Sequence, residues 1–409
     1  MSVALERGRL PMILSMAMSG GIALITAFRF AILVQFLTPD DYGRINIYST
    51  LTSVVPLVMS LGMSVQYQRI ARATGSQAIP SLTRATLVVH AFTTLPTLVI
   101  VALISRPLGG EEHYFWAATM TVIIALATSV TTLYSQTALG LGYRTTASGM
   151  LFLVNAAGAV PLLPIWISST ASVNSILAWW AAGAVAACAA SRLILPKTEL
   201  SVVNSLDARM SYREGLLTLP VQVGPWLLIF LVRYIIGLNI DASAIAAFAI
   251  ASTVADMGFL VATAALGYFS NRLMTNHISP TRALILTAPV LIVITIAGGV
   301  VVDIALPAIG KGGDYTFPIL IAVLLAVFNL IRLYINAWRP RIVGIRKLQS
   351  TSWVYIGTVI SVSILLLTWK PTSLEPYAYC LIIAFALIAA VQRFEVLKYE
   401  RGLSRVPRS

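Results

Sequence analysis

Along most of its length the chain alternates between long apolar runs and short polar interruptions. A helix that crosses a bilayer needs about 20 mostly apolar residues, and twelve stretches meet that requirement. They lie near 10–37, 46–66, 84–104, 115–137, 147–167, 174–195, 216–238, 243–268, 282–302, 317–337, 352–369 and 376–391. The pattern predicts an all-α integral membrane protein of about twelve transmembrane helices, with both termini on one side. Its longest internal polar stretch, "SRLILPKTELSVVNSLDARMSYREG", falls at the middle of the chain. The expected organisation is therefore a six-helix bundle over 1–195, a cytoplasmic linker over 196–215, a second six-helix bundle over 216–392 and a basic cytoplasmic tail over 393–409.

The two halves echo each other. Arg29 and Arg233 each lie toward the far end of the first helix of a half, 204 residues apart. "VQYQR" ends at Arg69 and "YFSNR" at Arg272, while "TTLYSQ" and "IRLYIN" fall in the fourth helices. An even number of helices per half gives the repeats one orientation, so the bundles are pseudo-symmetric about an axis along the membrane normal.

Composition agrees with this pattern. Of 409 residues, 58% are hydrophobic and 11% charged, against about 25% charged in soluble domains. The 28 Lys and Arg outnumber the 15 Asp and Glu. With the termini in the cytoplasm, 21 of these cations fall in cytoplasmic segments, 4 on the opposite side and 3 within spans. The positive-inside rule accounts for that asymmetry and for the basic charge, so no nucleic-acid partner is implied. The N-terminal run after Arg7 and Arg9 is too long for a signal-peptide core and reads as a retained helix. Cys188 and Cys380 lie in apolar runs and read as small buried hydrophobes.

The chain shows no phosphate-binding GxxxxGK[ST] loop and no GxSxG, HExxH or CxxC motif. His90, His113 and His277 are scattered without metal-ligand spacing. No cofactor, metal or catalytic residue is expected, and no extramembrane segment is long enough for an enzymatic domain.

The charges inside spans are the candidate chemistry. "AFRFAILVQF" places Arg29, and "IFLVRYIIGL" places Arg233, in otherwise apolar helices, where a cation costs roughly 2.5–3.5 kcal/mol on insertion scales. One reading is snorkelling. Another is a structural ion pair with Asp256, which sits well inside its span in "STVADMGF". The third is a cationic cavity. A guanidinium stays charged when desolvated and grips phosphate through two N–H groups, so two arginines from two halves would match a pyrophosphate. Arg332 completes the candidate substrate-binding set but, being nearer the cytoplasmic end of its helix, reads rather as snorkelling. Asp256 is a candidate ion-coupling group or charge partner. Tyr134, Trp226, Tyr234 and Tyr334 are candidates for stacking on sugars.

The opening "SGGIALITAFRFAILVQFLTPDDYGRINIYSTLTSVVPLVMSLGMSVQYQR" resembles the start of bacterial polysaccharide-biosynthesis flippases of the multidrug/oligosaccharidyl-lipid/polysaccharide superfamily. The resemblance implies a MATE-like fold of two six-helix bundles around a central cleft. It also implies transfer of undecaprenyl-pyrophosphate-linked oligosaccharide repeat units from the cytoplasmic to the periplasmic leaflet of the bacterial inner membrane. Substrate lipid, membrane lipid and the polysaccharide polymerase and export machinery would be the partners. A drug or cation antiporter of the same superfamily would want acids at the cavity heart. A membrane-embedded glycan polymerase or ligase would want a large periplasmic loop, and the outside loops near 104–115 and 303–317 are short. A non-transporting scaffold of the envelope machinery is the remaining rival.

Overall fold

The computed structural model describes residues 9–109, 114–168, 171–195, 205–274, 278–315, 317–344 and 348–404. Fourteen α-helices account for nearly all of them: α1 Arg9–Phe36, α2 Pro39–Met59, α3 Ser64–Thr74, α4 Ile79–Gly109, α5 Tyr114–Gly140, α6 Arg144–Ala156, α7 Leu162–Ser168, α8 Val173–Ile194, α9 Ser205–Asn239, α10 Ala242–Met274, α11 Pro280–Ala308, α12 Ile319–Gly344, α13 Leu348–Trp369 and α14 Glu375–Ser404. No strand occurs among the described residues. Lipid offers no hydrogen bonds, so each segment closes its backbone bonds within itself.

Among the described residues ten helices are long and apolar enough to cross a membrane. Helices α1 and α2 take the remaining two of the twelve expected positions. The described apolar part of α1 is the shorter Gly20–Phe36. Helix α2 carries Asp40, Asp41, Arg44, Asn46 and a series of hydroxyl residues. It is not among the ten, but Ile45, Ile47, Tyr48 and Leu51 are nearly wholly buried in protein, so little of it has to face hydrocarbon.

Two expected spans differ in their bounds for local reasons. The second begins at Pro39 rather than near 46, because Thr38 caps the helix, its hydroxyl accepting from the Asp41 N–H at 3.2 Å. Pro39 in the first turn and Asp40 and Asp41 beside the helix dipole complete a standard start. The same helix ends at Met59, three residues after Pro56, in a turn where Leu61 and Gly62 take positive φ of 49° and 70°. The fifth span breaks: α6 passes through a 3-10 turn at Ala157–Ala159 and restarts as α7 at Leu162. Pro161 and Pro164 lack the N–H groups that would carry one helix through.

The chain divides into two compact units, Met1–Trp226 and Leu227–Ser409. The linker expected over 196–215 lies partly outside the described residues (196–204), and its remainder forms the first turns of α9. The tail expected from 393 is helical through Ser404, as the end of α14. In unit 1, α5 packs against α2, α3, α4, α6 and α8. In unit 2, α10 packs against α11 and α12, and α12 against α14. The third span of each half is the peripheral one: only 22% of the apolar windows of α4 and α11 is buried, against 61% for α5 and α10.

The start of α9 is fastened within unit 1. The Arg69 guanidinium donates to Glu214 at 2.8 Å, Ser64 donates to Gln222 at 2.8 Å, and Gln222 donates to the Gly62 carbonyl at 3.1 Å. The backbones cross at two glycines so tightly that a Cβ on Gly62 would lie 2.4 Å from the Gly215 carbonyl oxygen. Gly62→Ala is expected to lower stability by about 2–3 kcal/mol, from positive-φ strain plus a backbone clash. Gly357→Ala, inside α13 with open space around it, should instead be neutral or slightly stabilising, by less than about 1 kcal/mol. Thermal unfolding of the two purified variants in detergent checks the difference; equal midpoints would contradict the crossing.

Candidate functional site

Arg29 projects from α1 into a niche built entirely within unit 1. Its guanidinium carbon lies 4.0 Å from the centroid of the Trp180 ring on α8. The 3-10 break after α6 adjoins both groups, since a Cβ on Gly158 would come within 2.8 Å of Arg29 Nη1 and 3.6 Å of the Trp180 ring. A larger residue at the break would make the end of the arginine shift on the indole. Such cation–π contact is worth roughly 0.5–2 kcal/mol, more as water is excluded. Arg29 is only partly buried, and among the described residues no ion pair involves it.

Arg233, on α9, is 8% exposed. One of its terminal nitrogens donates to Ser252 Oγ on α10, and that hydroxyl donates to the Ala249 carbonyl at 3.0 Å. Arg332, on α12, is held by a carboxylate. Its Nη1 donates to Asp256 Oδ1 at 3.0 Å and to Asn329 Oδ1 at 2.7 Å. Asn329 Nδ2 donates in turn to Asp256 Oδ1 at 3.2 Å. The guanidinium carbon lies 4.0 Å from the Phe259 ring centroid and 5.3 Å from that of Phe328. Ser252 and Asp256 are one turn apart on α10, about 6 Å along the axis. One stripe of α10 thus receives two of the three predicted cations, from α9 and from α12.

The charge pairing differs from the sequence reading in two respects. Asp256 pairs with Arg332, rather than with Arg29 or Arg233. Arg332 does not snorkel: its side chain is 7% exposed while that of Asp256 is 34% exposed. A carboxylate within reach makes the inward rotamer cheaper than extension to the membrane surface.

The four aromatics proposed to stack on sugars lie in different settings. Tyr134 is buried among Ala138, Ala147 and Met150. Tyr234 stacks on Phe230 at 5.7 Å between ring centroids, and Tyr334 packs beside Trp338 at 6.0 Å. Trp226 remains exposed. The aromatics that meet candidate cations are Trp180, on Arg29, and Phe259 and Phe328, on Arg332; no sequence feature singled them out. Asn329 was legible in principle, three residues before Arg332 and so on the same helix face. A separate cavity of about 210 Å³ at the end of unit 1 where α8 begins is lined by Asp41, Arg44, Tyr48 and Asn174 among others, and holds none of the predicted residues. His113 and His277 lie outside the described residues.

The fold is shared with transporters of known structure. A MATE protein in complex with MaD3S matches with a TM-score of 0.67 at 14% identity, covering 99% of each chain. An inward-facing multidrug resistance MATE family transporter of the MOP superfamily matches with a TM-score of 0.65 at 13% identity, over 95% of this chain and 99% of that one. A MOP superfamily transporter from Pyrococcus furiosus matches with a TM-score of 0.60 at 14% identity, over 99% of each; its binding pocket is described as having reverse polarity, suggesting a different function. No family model and no curated protein sequence matches the chain. The protein is therefore an all-α integral membrane protein with the MATE fold.

Removing one member of a desolvated pair leaves the other charge uncompensated. Asp256→Ala is expected to destabilise by about 1–3 kcal/mol, discounted for the partial exposure of the carboxylate. The double variant Asp256→Ala/Arg332→Met should lose less than the sum of its two single variants. Denaturation of the wild type, Asp256→Ala, Arg332→Met and the double variant in detergent checks the coupling; additive losses would show that the pair contributes nothing.

Proposed function

We propose that this protein is a bacterial inner-membrane transporter that moves a pyrophosphate-linked, lipid-anchored oligosaccharide between leaflets by alternating access, with both termini cytoplasmic. The supporting observation is Arg29. It is a guanidinium well inside its span, set against an aromatic face and involved in no described ion pair. An indole provides no negative charge, so an anionic ligand would complete the compensation, and a phosphate suits the planar fork. Arg233, on its serine hydroxyl, is the corresponding cation of the second unit. Arg332 is already neutralised by Asp256 and takes a supporting role in this reading. The shared fold supports transport, and the reverse-polarity pocket described for the Pyrococcus furiosus protein shows that such a scaffold is compatible with more than one pocket charge. Delivery of the sugar repeat to a polysaccharide polymerase would follow.

The drug or cation antiporter is the second reading, favoured by the one-third-exposed carboxylate of Asp256. Its ion pair with Arg332 argues against it, since a cationic ligand would have to compete with a resident guanidinium.

The two readings separate in vesicles reconstituted with the purified protein. The probes are a fluorescent polyprenyl-pyrophosphate oligosaccharide and, separately, ethidium. The wild type should translocate the lipid and not ethidium. Arg29→Ala should slow lipid translocation by roughly 10–100-fold, as expected for about 1.5–3 kcal/mol in a charged hydrogen bond. Arg29→Lys should retain more. Wild-type rates in Arg29→Ala, or ethidium transport without lipid movement, would overturn the proposal.

A further inference from the structure

His90 lies in α4, eleven residues or about 17 Å along the helix from its start at Ile79, and is 4% exposed. No part of the transport site described above uses it. Its Nδ1 lies 2.6 Å from the Thr86 carbonyl oxygen. A carbonyl only accepts, so Nδ1 carries a proton in every state of the ring. Its Nε2 lies 2.8 Å from Ser129 Oγ on α5. The same oxygen lies 3.0 Å from the Pro56 carbonyl oxygen on α2.

Ser129 has one proton for these two neighbours. When it points at Nε2, the imidazole is neutral and the Pro56 carbonyl loses this donor. When it points at Pro56, Nε2 has to donate, and the ring is an imidazolium. The arrangement thus has two complete hydrogen-bonding states that differ by one proton and by the direction of one hydroxyl.

We infer that His90 is a proton-binding site in unit 1, with Ser129 relaying its protonation to the Pro56 carbonyl. The groups that face the ring are the Thr86 carbonyl from α4, Ser129 from α5 and the Pro56 carbonyl from α2, with the Tyr67 hydroxyl of α3 behind Thr86 at 3.1 Å from Oγ1. Tyr67 is the one titratable group in that set. The charged residues on these helices, Asp40, Asp41 and Arg44 on α2, Arg69 and Arg72 on α3, and Arg84 and Arg106 on α4, make no described hydrogen bond or ion pair with His90; α5 has none. No described carboxylate pins the imidazolium, so the proton can be released as well as bound.

The relay ends where α2 ends. The Pro56 carbonyl also accepts from the Ser60 N–H at 3.0 Å, which opens the turn containing Leu61 and Gly62. The Gly62 carbonyl accepts from Gln222, and Gly62 crosses Gly215 on α9. Proton binding therefore adds or removes a hydrogen bond at the carbonyl from which this turn springs. Resting on the transport reading, the site assigns the coupling ion: a proton.

Two measurements on the full chain test the inference. The first is ¹⁵N-histidine NMR in lipid nanodiscs, with His113→Gln and His277→Gln leaving His90 as the sole histidine. Between pH 5 and 8 the ring should pass from imidazolium to the neutral form protonated at Nδ1. Ser129→Ala should lower the midpoint, since the bond it removes from the charged Nε2–H is charge-assisted and stronger than the one it removes from the neutral ring. A ring that stays neutral throughout, or an unmoved midpoint in Ser129→Ala, overturns the site. The second is translocation of the polyprenyl-pyrophosphate probe under an imposed gradient. One pH unit is worth about 1.4 kcal/mol per proton, and should change the wild-type rate by up to about tenfold. His90→Gln should translocate at one rate with or without the gradient; a response equal to wild type overturns the coupling. A wild type that moves no probe but titrates as described would refute the transport reading and leave the proton site standing.

Discussion

A guanidinium at depth in a membrane helix has to be compensated by groups that the protein itself supplies, and that constraint organises both units. Three arginines meet it in three ways. Arg29 lies on an indole face, Arg233 on a serine hydroxyl and Arg332 on a carboxylate backed by an asparagine. The three differ in what they leave over. The carboxylate cancels the charge of Arg332, whereas the indole gives Arg29 only a quadrupole. Arg29 therefore retains an attraction for an anion that Arg332 does not, and its partial exposure makes that attraction usable.

Niches of this kind depend on interrupted helices. Arg29 fits because the fifth span breaks at Ala157–Ala159 and places Gly158, which has no side chain, against the end of its guanidinium. The turn after α2 fits against α9 because positive φ at Leu61 and Gly62 turns the chain out of the helix and Gly62 permits a backbone crossing. In both places the chain gives up regular helix and gains a polar surface inside the bundle. At Pro56 the carbonyl also becomes an acceptor for Ser129, which ties the buried His90 to the same turn. Irregular backbone at membrane depth is tolerated where it is enclosed by protein or lines a cavity, and these breaks lie within the packing of unit 1.

Much of the fold was legible in the sequence because lipid demands a simple signal. Twelve apolar runs give the spans, and the regular spacing of breaks gives their order. Bounds were less legible where local chemistry overrode hydropathy. Thr38-Pro39-Asp40-Asp41 is a helix start written in polar residues, so a reading guided by apolar length placed the second span too late. The end of α2 depends on a positive φ at Leu61, which no propensity announces. The candidate site was half legible. An arginine in an apolar run is conspicuous, and so is Asp256, but which carboxylate meets which arginine is decided by helix packing. Arg332 is long enough to reach the surface from its place in the helix, and its pairing with Asp256 turns it inward. Trp180 gave no signal because an aromatic in a membrane helix usually just packs against lipid or protein. The partners of His90 are a serine and a backbone carbonyl, and neither leaves a mark in a sequence that would point to the histidine.

The most direct measurement of the central claim is the aqueous accessibility of position 29. With Cys188 and Cys380 replaced by serine, Arg29→Cys would be challenged in native membranes with a permanently charged, water-soluble thiol reagent. Reaction at a rate close to that of a surface cysteine is expected if the Trp180 niche opens to water and can receive a charged headgroup. Reaction only with an uncharged, lipid-soluble maleimide would place the position against hydrocarbon and contradict an anion-binding role for Arg29.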